Sequence, residues 1–219
     1  MSTPLFIYGS SGHAKVVIDV AEKMGGFDIR GMLDDNPVAT GSCVMGYPVL
    51  GGAEILTSLD PKRDRIFVAI GSNTVRQRIG RRLIAAGFAL PALVHPAAVI
   101  GREVMIGQGT VIMAGVVVNP ATVIGSLCIL NTCCSVDHDG RIGEAVHVSP
   151  GARLAGNVSV GEGSWVGIGS SIIEGRTIGC RCMIGGGAVV IDDVADDTTA
   201  VGVPARAIRR GSAAAKAGV

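Results

Sequence analysis

Aromatic residues are scarce in this chain: Phe, Trp and Tyr together make up 3% of its 219 residues. Its core must therefore be built from Val, Ile, Leu and Ala, as a narrow interior demands. A charge of one dominant sign is missing too. Nineteen Lys and Arg face eighteen Asp and Glu, a net charge of +1, which gives no electrostatic case for binding nucleic acid or an anionic membrane. The start, MSTPLFIYGSSGH, has no basic segment leading into a long apolar run, so no signal peptide is expected. No apolar stretch reaches the roughly 18 residues of a membrane span. The expected location is the cytoplasm. None of the six cysteines (Cys43, Cys128, Cys133, Cys134, Cys180, Cys182) shows C-x-x-C spacing, so no metal is expected. They read as free thiols in a reducing compartment, the sharper alternative being a catalytic cysteine acyl carrier.

What is abundant is order of another kind. From Ile100 to Ala195 the chain divides into hexads without a gap, and the first residue of all sixteen, Ile100 through Val190, is Ile, Val or Leu. Neither a helix nor a strand has that period; a β-solenoid does. Gly107, Gly125, Gly143, Gly161 and Gly179 recur at the second position every 18 residues. One coil is then three hexads, with a corner at each, and glycine is expected there because a corner can require positive φ. The fifth position is small or β-branched, as at Val104, Thr110, Cys128, Cys134 and Ser164. Its side chains should share the interior with the aliphatics, Cys replacing Ala or Ser by volume. Gly140 and Arg176 break the rule, and Arg176 predicts a local distortion, since an unpaired interior charge is costly.

The first 94 residues read differently. An apolar strand (residues 5–8) leads to Gly9-Ser10-Ser11-Gly12-His13, an amphipathic helix from Ala14 to Met24, and a second strand from Ile29 to Leu33 ending in Asp34-Asp35. This is the layout of a nucleotide-binding βαβ unit with an incomplete fingerprint, and an ordinary βα turn remains the other reading. A short helix is expected at Ala53–Leu59 and a third strand at Ile66–Ile70. A helix with several arginines follows from Thr74 to Ala86, then a last strand from Phe88 to Val94. Arg76 lies in that helix's first turn near the strand end, where open α/β sheets bind ligands. The predicted domains are 1–94, 95–208 and a disordered tail at 209–219.

The densest polar cluster in the hexads is Asn131 through Asp139. Val136 points inward, so Asp137, His138 and Asp139 lie at a corner. A histidine flanked by carboxylates has the composition of a general base, the carboxylate fixing its tautomer; a solvated corner histidine without a task is the alternative. Eighteen residues after His138 comes Gly156. It should lie one coil along, about 4.8 Å away, where its N–H can meet a developing oxyanion.

The hexads are similar to those of hexapeptide-repeat acyltransferases. With Gly9–His13, Leu33-Asp34-Asp35, Ala69–Asn73 with Arg76, and Gly202-Val203-Pro204-Ala205 in order, residues 4–208 resemble the bacterial nucleotide-sugar N-acetyltransferases. Sialic acid O-acetyltransferase belongs to the same group. The resemblance implies an α/β Rossmann-like N-terminal domain plus a left-handed parallel β-helix. It implies a homotrimer with acetyl-CoA between neighbouring solenoids and no metal. It also implies His138 as base, Gly156 as oxyanion donor, His147 on the thioester carbonyl and Asn131 lining the acceptor pocket. Ile168 and Gly186 would contact the pantetheine arm, with Gly202 and Pro204 near the adenine. Gly9, Ser10, Ser11 and Gly12 would approach a diphosphate through N–H groups, and Asp34 and Asp35 the base or ribose, favouring uridine. His13 would reach the sugar from a neighbouring subunit, the alternative being packing at the helix N-terminus; Asn73, Arg76 and Asp137 complete the expected substrate contacts. The function implied is acetyl-CoA-dependent N-acetylation of a nucleotide-linked amino-deoxysugar, foremost a UDP-4-amino-4,6-dideoxyhexose, in surface glycan synthesis. The alternative is O-acetylation of sialic acid or another free sugar. A zinc hydratase or a scaffold on the same solenoid fits less well, because only His138 and His147 lie within the hexads and a scaffold has no need of Asp-His-Asp.

Overall fold

The computed structural model describes residues 2–208; the tail expected at 209–219 lies outside them. The N-terminal part contains β1 (Thr3–Tyr8), α1 (Gly12–Met24), β2 (Phe27–Leu33), β3 (Cys43–Val44), β4 (Tyr47–Gly51), β5 (Arg65–Val68) and α2 (Asn73–Ala85). The sheet order is β3-β4-β2-β1-β5, parallel except for the edge strand β3. The chain leaves β1 for β2 on one side and later returns to β5 on the other. The crevice of this Rossmann-like sheet therefore opens at the carboxyl ends of β1 and β5. Helix α1 buries Ala14, Val17, Ile18, Val20 and Ala21, one face of a 3.6-residue period, and stops at Gly25 with φ 73°. The short helix expected at Ala53–Leu59 is a 3₁₀ turn, Ala53–Ser58. The strand expected from Phe88 is broken at Pro91, which has no N–H to give. Only Leu93–Val94 is extended, and it pairs with Val111–Ile112, so the solenoid's first face already begins there.

The rest is a left-handed parallel β-helix. Its pairs run at steps of eighteen, as in Val117 with Ser135 and Ser135 with Arg153, so each coil is three hexads. The first face runs from Leu93–Val94 through Ile129–Leu130, His147–Val148 and Trp165–Val166. The second starts at Val99–Ile100 and the third at Met105–Ile106. The first-position aliphatics from Ile112 onward are buried.

The corners correct one expectation. Positive φ falls at the fourth position of every hexad from Glu103 to Gly187, between 53° and 70°. Eight of these residues, Leu127, Cys133 and Asp139 among them, are not glycine. The second-position glycines have no positive φ. They are required by close approach: a Cβ on Gly143 would lie 2.7 Å from Glu162 N, and one on Gly161 2.5 Å from Cys180 N. The distortion expected at Arg176 is also absent. Strand Thr177–Ile178 keeps register with Ser159–Val160, and Arg176 stays partly exposed, its Nη1 3.9 Å from Asp193. The long stem lets the charge reach the surface. Polar fifth-position residues fit inside because each finds a carbonyl: Thr110 Oγ1 donates to Gly125 O, Ser164 Oγ to Gly179 O and Cys128 Sγ to Gly143 O.

Helix α2 fastens the two parts together. It follows the corner column Leu127, Ala145 and Gly163, one residue per coil. A Cβ on Gly80 would lie 2.5 Å from the Leu127 side chain, Arg76 Nη2 donates to Ala145 O at 2.9 Å, and Asn73 Nδ2 donates to Gly163 O at 3.0 Å. Arg81 adds a bidentate pair with Glu144 on the outside.

Candidate active site

The Asp-His-Asp corner is formed as the hexad pattern requires. Asp139 takes the left-handed corner conformation, φ 59°, which brings its carboxylate back to the preceding ring: Oδ2 lies 2.8 Å from His138 Nδ1. Asp137 is held by Asn119 Nδ2 at 2.7 Å and accepts the His138 N–H at 2.8 Å; these bonds push its carboxyl below the usual range. The bond to Asp139 raises the pKa of His138, and the side chain remains half exposed. With Nδ1–H donating to the carboxylate, Nε2 is the free, proton-accepting end of the ring.

Gly156 lies under that end, one coil along. A Cβ there would be 2.6 Å from both Nε2 and Cε1 of His138. Its N–H makes no hydrogen bond within the described residues. A free donor thus sits beside a free acceptor, the pairing an acyl-transfer intermediate needs. Gly156→Ala is expected to displace the ring and lower kcat by about 10- to 100-fold; unchanged turnover in steady-state kinetics would count against the arrangement.

Asn131 and His147 are brought together on the first face, Asn131 Nδ2 lying 3.1 Å from His147 Nε2. They are on a different side of the coil from His138. His147 is sixth in its hexad, an outward position, yet it is 7% exposed, because the N-terminal part packs on this face and Trp165 stacks 4.5 Å away. Burial and the charge of Arg76 push its pKa down to about 3. His13, at the start of α1, has its Nε2 buried without a partner among the described residues, and its pKa falls to about 4, mainly by desolvation.

Two expected substrate residues are structural. Arg76 is 1% exposed and uses all five N–H groups inside the protein. Nε donates to Leu127 O, Nη1 to Ile70 O and Gly71 O, and Nη2 to Asn73 Oδ1 and Ala145 O. Asn73 gives its amide to Gly163 O and Ser164 O. Arg76 has no donor left for a ligand, and Asn73 keeps only the second lone pair of Oδ1.

The N-terminal crevice is a cleft of about 270 Å³ bounded by Gly9, Ser10, Ser11, Asp34, Asp35 and Arg78. Gly9 has φ 110°, and a Cβ would strike Ala69 O at 2.8 Å, so no other residue fits. The expected donors are redistributed. Gly9 N–H is bound to Leu33 O and Ser10 N–H to Asp34. That leaves Ser11 and the first turn of α1, from Gly12, whose N-cap carries no side-chain bond. Asp34 is engaged at both oxygens, by Ser10 and Asn36, and so shapes the loop. Asp35 Oδ1 accepts from Tyr8 and Ala53, leaving Oδ2 for a ligand. Arg78 is one of the several arginines of the helix expected from Thr74 to Ala86. In the structure it borders the cleft, exposed and without an ion-pair partner among the described residues. Its helical spacing three residues after the first-turn Val75 is the one signal that could have placed it there.

Ile168 and Gly186 stack at one corner, Gly187 N–H donating to Ile168 O at 2.8 Å, and Ile168 is 62% exposed. Gly202 and Pro204 follow at the same end, where Val189 N–H donates to Gly202 O and Ala205 N–H to Val189 O. This column forms a continuous ridge. Burial raises the thiols of Cys128 and Cys134 to about 11 and about 12, against nucleophilic use.

A β-helix with a histidine-carboxylate corner, joined to an α/β sheet with a nucleotide-type crevice, defines a class: sugar acyltransferases built on hexapeptide repeats. The comparisons narrow it. Residues 4–83 match the PglD N-terminal domain model. The GDP-perosamine N-acetyltransferase of Escherichia coli O157:H7 is 31% identical over 175 residues, covering 78% of this chain and 77% of that protein. PerB from Caulobacter crescentus, solved with CoA and GDP-perosamine, is 42% identical, with a TM-score of 0.89 over 94% of this chain and 97% of that one. The acetyltransferase domain of PglB from Neisseria gonorrhoeae FA1090 is 38% identical, also with a TM-score of 0.89, over 94% of this chain and 100% of that one. The chain spans about a third or less of the length of other curated acetyltransferases, which it matches only locally. The chain belongs to the PglD-like family of nucleotide-sugar N-acetyltransferases.

Proposed function

We propose that this protein transfers the acetyl group of acetyl-CoA to the amine of a nucleotide-linked 4-amino-deoxysugar, with His138 as general base. The observation that carries the reading is the His138–Asp139 pair set over the free N–H of Gly156. His138 Nε2 takes a proton from the amine as its nitrogen attacks the thioester carbon. Gly156 N–H stabilises the tetrahedral oxyanion. The C–S bond then breaks, and coenzyme A leaves as thiolate, which recovers the proton from the imidazolium. The Ile168–Gly186–Gly202 ridge is the proposed track for the coenzyme. Relatives support this: PerB was solved with CoA and GDP-perosamine, and the Neisseria domain with acetyl coenzyme A. Histidine-substituted variants of the Caulobacter enzyme still hold both CoA and GDP-perosamine.

The nucleotide would lie in the N-terminal crevice, its diphosphate between the N-terminus of α1 and Arg78, its base or ribose on Asp35. A GDP-linked sugar is the first acceptor proposed, because one relative is named a GDP-perosamine N-acetyltransferase and another was solved with GDP-perosamine. A UDP-linked sugar, from the Asp34–Asp35 strand end, is the second. His138 and the Asn131–His147 pair occupy different sides of one coil, so a complete site is proposed to form between subunits of a homotrimer. The proposed setting is cytoplasmic synthesis of surface glycan precursors; among the described residues no helix is long and apolar enough to cross a membrane.

The test is release of free thiol from acetyl-CoA with GDP-, UDP- and dTDP-4-amino-6-deoxysugars and free sialic acid. Turnover with one nucleotide-amino-sugar supports the proposal and names the base. Turnover with sialic acid alone overturns it. The pH profile gives a second check. The base must be neutral and Asp139 raises its pKa, so kcat/KM is expected to fall as pH drops through a value above 6.5. Asp139→Asn removes the main cause, so this acid limb should shift to lower pH while the plateau drops.

A further inference from the structure

His147 has one ring nitrogen satisfied and one not. Its Nε2 lies 3.1 Å from Asn131 Nδ2, while Nδ1 is buried without a partner among the described residues. The Asn131 amide cannot be reversed. Its Oδ1 accepts the main-chain N–H of Thr132 at 2.8 Å and the Thr132 hydroxyl at 3.4 Å, and an N–H can only donate. The amide nitrogen therefore points at Nε2 and donates to it. Nε2 must carry the lone pair, and the ring proton must be on Nδ1. A proton on Nε2 would oppose two donors across that contact.

The surroundings act in the same sense. The ionisable groups facing the ring are Arg76 from α2 and His13 from α1, and both disfavour a second proton, as burial does. Its neighbours on the same face are neutral: Trp165 stacks on it and donates Nε1–H to Ser149 Oγ at 2.7 Å. Arg76 cannot relieve the orphaned nitrogen, because its own donors are all committed to carbonyl and amide oxygens.

We propose that Asn131 is a positioning residue that fixes His147 as a neutral imidazole with its proton on Nδ1, a donor kept for an acceptor oxygen of the bound substrates. That this oxygen belongs to an acyl donor or a sugar rests on the acetyltransfer reading. The tautomer itself does not.

The experiment reads the tautomer directly. The chain has four histidines, so ¹⁵N-histidine labelling with two-bond ¹H–¹⁵N correlation gives four ring patterns, and His147→Phe identifies the one wanted. The wild-type ring is expected to show the neutral Nδ1–H pattern, unchanged from pH 5 to 9. Asn131→Asp replaces the donor by a carboxylate and should move the proton to Nε2 or bring the ring's titration into that range, with a new pH limb in kcat. An Nε2–H pattern in the wild type, or titration there above pH 6, overturns the proposal, as does a folded Asn131→Asp whose ring is unchanged. Should no nucleotide-amino-sugar be acetylated while the wild-type ring is Nδ1–H, the functional reading fails and this assignment stands. Should acetylation proceed with the other tautomer, the reverse holds.

Discussion

His138→Ala is expected to lower kcat by roughly 10²–10⁴-fold while coenzyme A affinity stays within threefold. The ring is half exposed at a corner, and its protein contacts are few: Asp139 at Nδ1 and the face of Gly156. Its removal should leave the solenoid core untouched, because Val136 beside it stays buried. Loss of turnover with an unchanged melting temperature would therefore report chemistry. Steady-state kinetics and calorimetric titration of CoA check the two halves. A variant within threefold of wild-type kcat would remove His138 as the base.

Arg76→Met is expected to show the largest effect on stability, a loss of about 3–5 kcal/mol. The substitution leaves four carbonyls, those of Leu127 and Ala145 buried, and the Asn73 amide oxygen without their donor. It also unfastens α2 from the first face of the solenoid. At about 2–4 °C per kcal/mol for a chain of this size, the melting temperature should drop by about 10 °C. Burial lowers the pKa of the guanidinium to about 10, so it remains charged near neutral pH. Arg76→Lys should recover less than half, since one ammonium has three donors and no planar fork to serve acceptors on both sides. Differential scanning calorimetry decides; a shift under 3 °C for Arg76→Met would show that the clamp is not what joins the two parts.

How much of this was legible beforehand depended on the range of the information. Sixteen aliphatics at a fixed period state the solenoid locally, and the 18-residue recurrence alone sets Gly156 under His138. The reason for the second-position glycines was misread, because the sequence shows that a side chain is absent but not whether torsion or a neighbouring coil forbids it. Arg76 was misplaced for a related reason. An arginine in a helix's first turn looks the same whether it faces water or, as here, carbonyls 51 and 69 residues away. Asp34 closes its own loop through Ser10 and Asn36, and a carboxylate that does so has the same composition as one that awaits a ligand. His147 occupies the outward position its hexad dictates; what covers it comes from another part of the chain.

The docking of α2 has a geometric consequence. Gly80 and Asn73 meet corners two coils apart, Leu127 and Gly163. Seven helical residues advance about 10.5 Å, and two coils about 9.6 Å. The two rulers nearly agree, and they disagree by about 1 Å over that stretch. Like a vernier, they coincide at one setting and drift away from it, so contact is good over three coils and would fail over many more. The N-terminal part is thus seated against the coils of Leu127, Ala145 and Gly163. Coils added beyond Gly163 would lengthen the protein without disturbing that setting. A coil inserted between Leu127 and Gly163 would pull the marks apart and unseat α2 from the face that carries His147.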